Sequence, residues 1–229
     1  TRLFVAHSVQ LEDLVDSTLA LAGERKVPVQ SVAAPYLATI TQGGHHQGIA
    51  LETGPYPYIA FEDLESPAGE PPFYLLLDHI QDPQNLGAII RSAEAAGVHA
   101  VFIPRDRAAG ITPAVVRASA GATEHMAICH VVNIGETMRK LKDREVWLAG
   151  LEATGDAKTY TEADLAGPLG LVIGNEGDGL SRLARETCDF IIRLPMRGKI
   201  ASLNASAAAA VALYEIVRQR NTTAPRPGA

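Results

Sequence analysis

Residues 73–104 read FYLLLDHIQDPQNLGAIIRSAEAAGVHAVFIP, and the fold class follows from them. Phe73–Leu77 is an unbroken apolar run without polar alternation, the pattern of a strand buried on both faces. Asp82-Pro83 breaks the chain, Asn85 is a suitable N-cap, and a helix is expected over 86–96, closing at Gly97. A second apolar run, Ala100–Ile103, follows. Strand, helix and strand within about thirty residues make a βαβ unit, whose two strands lie parallel.

The same alternation continues towards the C-terminus. Strands are expected at 125–131, 146–151, 169–173 and 190–194, and helices at about 112–122, 135–143, 180–187 and 203–220. This predicts an α/β domain with a mostly parallel sheet covered on both faces. Upstream, Leu3–Ala6, a helix over 11–26 with Leu11, Leu14, Val15, Leu19 and Leu21 as its apolar set, and strands at 27–33 and 48–51 form a smaller α/β unit. Gly54-Pro55-Tyr56-Pro57 and Ser66-Pro67-Ala68-Gly69-Glu70-Pro71-Pro72 punctuate the chain between them. The expected organisation is a domain at 1–54, a linker at 55–71 holding a short turn at Phe61–Leu64, a larger domain at 72–221 and a frayed tail at 222–229.

Of the 229 residues 47% are hydrophobic and only 5% aromatic, so the core is built from Ala, Val, Ile and Leu. No run approaches the roughly 18 apolar residues of a membrane span. No signal-peptide pattern is visible, although residues ahead of Thr1 are allowed for. Cys129 and Cys188 have no CxxC spacing, and Cys129 falls in an apolar strand as inert core; a reduced, cytoplasmic setting is expected. Net charge is −6, which excludes global attraction to a polyanion. Residues 1–70 carry three basic and nine acidic side chains, whereas 71–221 carry 16 and 17. Arg182, Arg185, Arg193, Arg197 and Lys199 fall close together in sequence, as a solvated surface or as a local patch for RNA.

Ligands of open parallel sheets bind beyond the carboxyl ends of the strands, and three such ends are unusual here. After 73–77 come Asn85, Gly87 and, inside the helix, Arg91; spacing alone favours a cap and a snorkelling or Glu94-paired arginine. After 169–173 comes Gly174-Asn175-Glu176-Gly177-Asp178-Gly179, whose order fits neither GxGxxG nor a phosphate loop, and whose carboxylates oppose phosphate. After 190–194 comes a loop in which Ser202 or Asn204 can cap an alanine-dominated helix. On that helix Leu203, Ala207, Val211 and Tyr214 share a face, and spacing favours core packing for it. Adjacent His45 and His46 diverge, and with no HExxH or Cys/His cluster no metal is expected.

Taken in order, DPQNLGAIIRSAEAAG (82–97), LVIGNEGDGL (171–180) and RLPMRGKIASLNASAAAAVALYE (193–215) resemble the three motifs of the SpoU, or TrmH-like, branch of the SPOUT RNA 2′-O-methyltransferases, over essentially all of 73–220. The segment GGHHQGIALE (43–52) is similar to part of the ribosomal-protein-like substrate-binding domain that precedes the catalytic domain in several members. The resemblance implies an α/β sheet with a C-terminal trefoil knot, a homodimer that uses the last helix, and S-adenosylmethionine as cofactor. It carries the cofactor contacts onto Gly174, Leu194 and Leu203, with Ile173 and Met196 nearby, and the catalytic set onto Arg91, Asn85, Glu176, Ser202 and Asn204. Domain order and HHQG (45–48) look most like the bacterial enzymes acting on a guanosine of 23S ribosomal RNA. Transfer RNA enzymes and resistance-conferring ribosomal RNA methylases are the neighbouring alternatives. A non-enzymatic RNA-binding or ribosome-assembly module is the rival from another class; a nucleotide-dependent oxidoreductase lacks its fingerprint. The acidic N-terminal segment departs from what an RNA-recognition domain ordinarily carries. Tyr56 and Tyr58 are candidates for stacking on bases, with packing in the linker the commoner fate.

Overall fold

The structure is a computed structural model and describes residues 1–9, 13–155, 157–175 and 177–223. The chain divides into two compact units, Thr1–Pro57 and Tyr58–Ala229. Leu11, Glu176 and the last six residues therefore lie outside the described residues.

The first unit is a three-stranded sheet in the order β2-β1-β3 with two helices. Strand β1 (Arg2–Ala6) pairs parallel with β2 (Val29–Val32) and antiparallel with β3 (Ile49–Glu52). Helix α1 (Asp13–Glu24) buries Ala22 but leaves Leu14 and Leu21 exposed, so its apolar face is only partly covered. Helix α2 (Ala34–Ile40) has no counterpart in the expected elements. It is seven residues long, carries Pro35 in its first turn and buries Leu37 alone, too short a run for a period of 3.6 to register.

The second unit carries a seven-stranded sheet in which every pairing is parallel. Its strands are β4 (Phe73–Asp78), β5 (Ala100–Pro104), β6 (Ala127–Val131), β7 (Trp147–Leu151), β8 (Lys158–Thr159), β9 (Leu169–Gly174) and β10 (Phe190–Arg193), in the order β6-β5-β4-β9-β7-β10-β8. β4, β5 and β9 are buried at every position, which explains their unbroken apolar reading. β8, two residues on the sheet edge, carries no such signal and is absent from the expected strands. Ahead of the sheet, the Ile59 N–H donates to the Ile128 carbonyl at 3.0 Å, and a 3₁₀ turn at Phe61–Asp63 seats Phe61 in the core beside Phe102.

The helices are α3 (Pro83–Ala95), α4 (Pro113–Ala118), α5 (Ile134–Lys142), α6 (Arg182–Thr187) and α7 (Ala205–Thr223). α3 begins three residues before its expected start. Asp82, not Asn85, is its N-cap, accepting from the Gln84 N–H at 3.0 Å, and Pro83 occupies the first turn, where its fixed φ suits a helix. α4 ends early because Ala120 and Gly121 adopt φ of 51° and 84°. α7 packs against α3 and β9 through Ala205, Ala209, Ala212, Leu213 and Ile216. The face Leu203–Ala207–Val211–Tyr214, expected in the core, points to solvent: Leu203 is 45%, Val211 41% and Tyr214 53% exposed. Both faces of this alanine-rich helix are apolar, so periodicity does not say which one the sheet covers. Among the described residues no helix is long and apolar enough to cross a membrane.

Gly87 sets the approach of α3 to α4. A Cβ there would lie 2.4 Å from Ala118 Cβ and 2.9 Å from both the Ser119 nitrogen and the Val115 oxygen. Gly87→Ala should therefore destabilise the protein by about 1–2 kcal/mol, because overpacking costs about 1–3 kcal/mol and outweighs the gain of up to about 1 kcal/mol from placing Ala in a helix. The urea midpoint measures this; an unchanged or raised midpoint would mean that the two helices part freely.

Candidate functional site

In the sheet β9 lies between β4 and β7, with Asp78 opposite Gly174 and Leu151 opposite Ile173. All three strands run parallel, so their carboxyl ends share one edge, and the loop leaving β9 is gripped from both sides. Asp78, 1% exposed, accepts the Ser181 N–H at 2.6 Å through Oδ2. Glu152, just past β7, accepts the Leu180 N–H at 3.3 Å through Oε1, and Arg185 lies 2.5 Å from its Oε2. Within the loop Asn175 Oδ1 accepts from the N–H groups of Gly177 at 2.9 Å and Asp178 at 2.7 Å. The turn closes so tightly that a Cβ on Gly174 would fall 2.1 Å from the Gly179 backbone. His79, at φ 64°, places Nδ1 2.7 Å from Asp78 Oδ1.

Beside this loop opens a cleft of about 320 Å³. Ile173 and Gly174 line it from β9, and Leu194, Met196, Ser202 and Leu203 from the loop between β10 and α7. The five residues singled out for cofactor contact thus share one cavity. None of the described lining residues is basic, and Glu152 and Asp178 bring carboxylates, so the cleft suits a neutral or cationic ligand rather than a polyphosphate. Glu176 lies outside the described residues.

Two of the polar candidates meet where α3 approaches the loop before α7. Asn204 Nδ2 donates to Asn85 Oδ1 at 2.9 Å across 119 residues of sequence. Asn204 Oδ1 in turn accepts from Ser206 N–H at 2.9 Å and Ala207 N–H at 3.4 Å, so it caps α7. Arg91 stands six residues beyond Asn85, about 9 Å along α3 at 1.5 Å per residue. It is exposed and pairs with no acid among the described residues, Glu94 included. Tyr58 is committed to packing: its ring stacks on His130 at 4.3 Å and its hydroxyl accepts the Ile111 N–H at 2.8 Å. Burial pushes the Cys129 thiol up to about 11 and the Cys188 thiol up to about 12, leaving both as unreactive thiols.

Of the five clustered basic residues, Arg182 pairs with Glu186 at 3.0 Å and Arg185 with Glu152, while Arg193, Arg197 and Lys199 have no acidic partner among the described residues. The sequence reading missed Asp78 and Glu152. A carboxylate that ends an apolar strand was the available signal, and it is shared with many surface residues.

The SpoU rRNA Methylase family matches residues 72–214, and the family described as RNA 2′-O ribose methyltransferase substrate binding matches residues 1–59. The chain belongs to the SpoU rRNA methylase family. It is 42% identical over 206 residues to the TrmH-family protein YacO of Bacillus subtilis, covering 89% of this chain and 82% of YacO. It is 40% identical over 212 residues to the 23S rRNA (guanosine-2′-O-)-methyltransferase RlmB of Pseudomonas putida, covering 91% of this chain and 85% of RlmB. Among solved structures, the SpoU methyltransferase AviRb from Streptomyces viridochromogenes, in complex with the cofactor AdoMet, superposes with a TM-score of 0.80 at 30% identity, covering 96% of this chain and 83% of AviRb.

Asn204→Ala removes both the α7 cap and the tie to α3. It should lower stability by about 1 kcal/mol, the usual worth of an N-cap. Asn204→Asp keeps the cap oxygens and should restore most of that loss. Equal destabilisation by both substitutions in chemical denaturation would show that the tie to Asn85, not the cap, holds the helix start.

Proposed function

We propose that this chain transfers the methyl group of S-adenosylmethionine to a ribose 2′-hydroxyl of RNA, and that its substrate is a guanosine of large-subunit ribosomal RNA. The observation that carries the reading is the cleft at the β9 carboxyl end, bounded by the Gly174–Gly179 turn and bordered by the Asn85–Asn204 bridge. The finer substrate choice rests on the likeness to RlmB along both units. In this reading residues 1–54 recognise RNA, 55–71 link, 72–221 catalyse, the C-terminal segment is knotted, and the enzyme works in the cytoplasm.

The residues present fit the cofactor. Backbone groups of the loop past β9 offer polar partners to an adenine edge, Leu194, Met196 and Leu203 offer apolar surface, and the absence of basic lining suits a positively charged sulfonium. When bound, S-adenosylmethionine supplies an electrophilic methyl group. The protein then has to hold the ribose in line and manage charge around the neighbouring phosphate. Arg91 is suited to the phosphate: an exposed guanidinium offers a fork of donors, whereas a pKa above about 12 makes it a poor proton acceptor. The Asn85–Asn204 pair fixes the two loops relative to each other and orients the ribose, with Ser202 on the cleft wall and Glu176 as a further catalytic polar group.

A homodimer completes this proposal. The exposed apolar face of α7, Ala207, Val211 and Tyr214, is the surface a second copy would cover, and its small residues permit close helix approach. Tyr214→Glu should shift the mass measured by light scattering from about twice 24.3 kDa to 24.3 kDa, without unfolding the chain because Tyr214 is already exposed. A dimer that persists would place the interface elsewhere.

The direct test is methyl incorporation from labelled S-adenosylmethionine into bulk ribosomal RNA and, separately, bulk transfer RNA, each from cells lacking the enzyme. Incorporation into large-subunit RNA, blocked by a prior 2′-O-methyl group, supports the proposal. Incorporation into transfer RNA alone moves the substrate, and none into either leaves the fold to a binding module. Arg91→Ala should lower turnover at least about 100-fold and leave cofactor affinity within a few-fold by calorimetry. Parallel loss of both would overturn the role given to Arg91.

A further inference from the structure

The second unit holds both paired and unpaired exposed cations, and Arg91, Arg117, Arg139 and Arg193 are among those without an acidic partner among the described residues. Cations on several helices are neutralised: Lys140 by Glu136 at 3.2 Å, Lys142 by Asp189 at 2.8 Å, Arg182 by Glu186 at 3.0 Å and Arg218 by Glu215 at 2.7 Å. On the loops that leave β5 and β10, Arg105, Arg107, Arg197 and Lys199 are exposed and have no acidic partner among the described residues. Asp106 forms no ion pair with either neighbour. Asp106, exposed between the two arginines, offsets part of their field, whereas the loop of Arg197 and Lys199 contains no acid and keeps its field available to an incoming anion.

Their placement follows from the strand order. β5 lies beside β4, and β10 beside β7, so the two basic loops flank the three strands β4, β9 and β7 whose carboxyl ends build the cleft. Four strand spacings of about 4.8 Å separate β5 from β10, or about 19 Å across the edge. The β5 loop is fixed in place: the Arg105 N–H donates to Val131 O at 2.8 Å, Arg105 Nε to His130 O at 3.3 Å and the Ile111 N–H to Tyr58 Oη at 2.8 Å. The Ala109 N–H donates to Ile80 O at 2.8 Å, tying this loop to the segment that opens α3, the helix of Arg91. Arg107 itself sits at φ 55°, a conformation costly to non-glycine residues that persists where surrounding bonds hold it.

We propose that the Arg105–Arg107 and Arg197–Lys199 loops form a two-sided cationic track for the RNA backbone, one loop on each side of the reacting ribose. The inference rests on the RNA methyl-transfer reading and adds where the strand crosses the protein. It also accounts for a chain of net charge −6, with nine acidic and three basic residues in 1–70, acting on a polyanion: the attraction is local.

The test uses the full chain with Arg105→Ala/Arg107→Ala and Arg197→Ala/Lys199→Ala, each as a double variant. Binding of a fluorescein-labelled single-stranded RNA of 20 nucleotides is followed by anisotropy over a salt series. Each double variant should reduce the slope of log affinity against log salt by about 1.4, two contacts at about 0.7 each for single strands. Each should also raise the KM for unmodified large-subunit RNA about tenfold or more, with melting temperature and calorimetric cofactor affinity unchanged. Arg105→Lys/Arg107→Lys should restore the slope. Because Arg105 also bonds a carbonyl, Arg107→Ala alone provides the reading should the double variant fail to fold, with a slope change of about 0.7. Wild-type slope and affinity in the variants would overturn the track. So would a defect seen with ribosomal particles but not with naked RNA, which would assign the loops to a protein surface. A wild-type protein that neither binds nor methylates RNA would instead sink the functional reading itself.

Discussion

The second unit depends on how the chain leaves β9. In a parallel sheet every strand end at one edge releases a loop whose peptide N–H groups lack a ladder partner, and buried N–H groups left unpaired cost about 1–3 kcal/mol each. Here the strands on either side supply the acceptors: Asp78 from β4 takes the Ser181 N–H and Glu152 from β7 takes that of Leu180. Hydrogen bonds to ionised groups are about twice as strong as neutral ones, so the turn is held at both shoulders. The conformation leaves no room for a side chain at Gly174, whose place is taken by the Gly179 backbone. Sheet order, two carboxylates and one glycine therefore define one wall of the cleft before any ligand arrives.

The opposite wall comes from the far end of the chain. α7 returns from beyond β10 to pack on α3 and β9, and the Asn204–Asn85 bond joins its start to the first turn of α3. One asparagine thereby caps a helix with its oxygen and ties two loops with its nitrogen. Alanine suits the inner face of α7, because helices approach closely only over small side chains. The outer face, with Val211 and Tyr214, is larger and exposed, as expected where the covering element is another chain rather than the sheet.

Much of this was legible in the sequence because burial on both faces writes itself as unbroken apolar runs, and β4, β5 and β9 are buried throughout. Where burial is slight the signal fades: β8 has two residues on an edge, and α2 buries Leu37 alone. The start of α3 was misplaced because two adequate caps, Asp82 and Asn85, stand three residues apart, and Pro83 decides for the first. The motifs located Ile173, Gly174, Leu194, Met196 and Leu203, which the fold brings into one cleft. They did not reveal Asp78 or Glu152, whose importance lies in strands that are distant in sequence and adjacent in space. Nor did periodicity distinguish the two apolar faces of α7.

Charge shows the same limit of linear reading. The cluster 182–199 looks uniform as sequence, yet Arg182 and Arg185 are absorbed by Glu186 and Glu152, and the basic residues that remain unpaired lie nearer its end. Summed charge is a poor guide to a polyanion's reception, because fields from exposed groups fade over a Debye length of about 8 Å at physiological salt. What an approaching phosphate meets is the local sign of one edge. At the carboxyl edge of this sheet Asp78 and Glu152 are turned inward, onto the N–H groups of Ser181 and Leu180, while Asp106, Asp178 and the arginines of the flanking loops remain exposed. The bonds that shape the wall of the cleft thus also occupy two carboxylates of this edge, and the loop after β10, with Arg197 and Lys199 exposed and no acid of its own, gives a chain acidic overall a locally basic side beside the cleft.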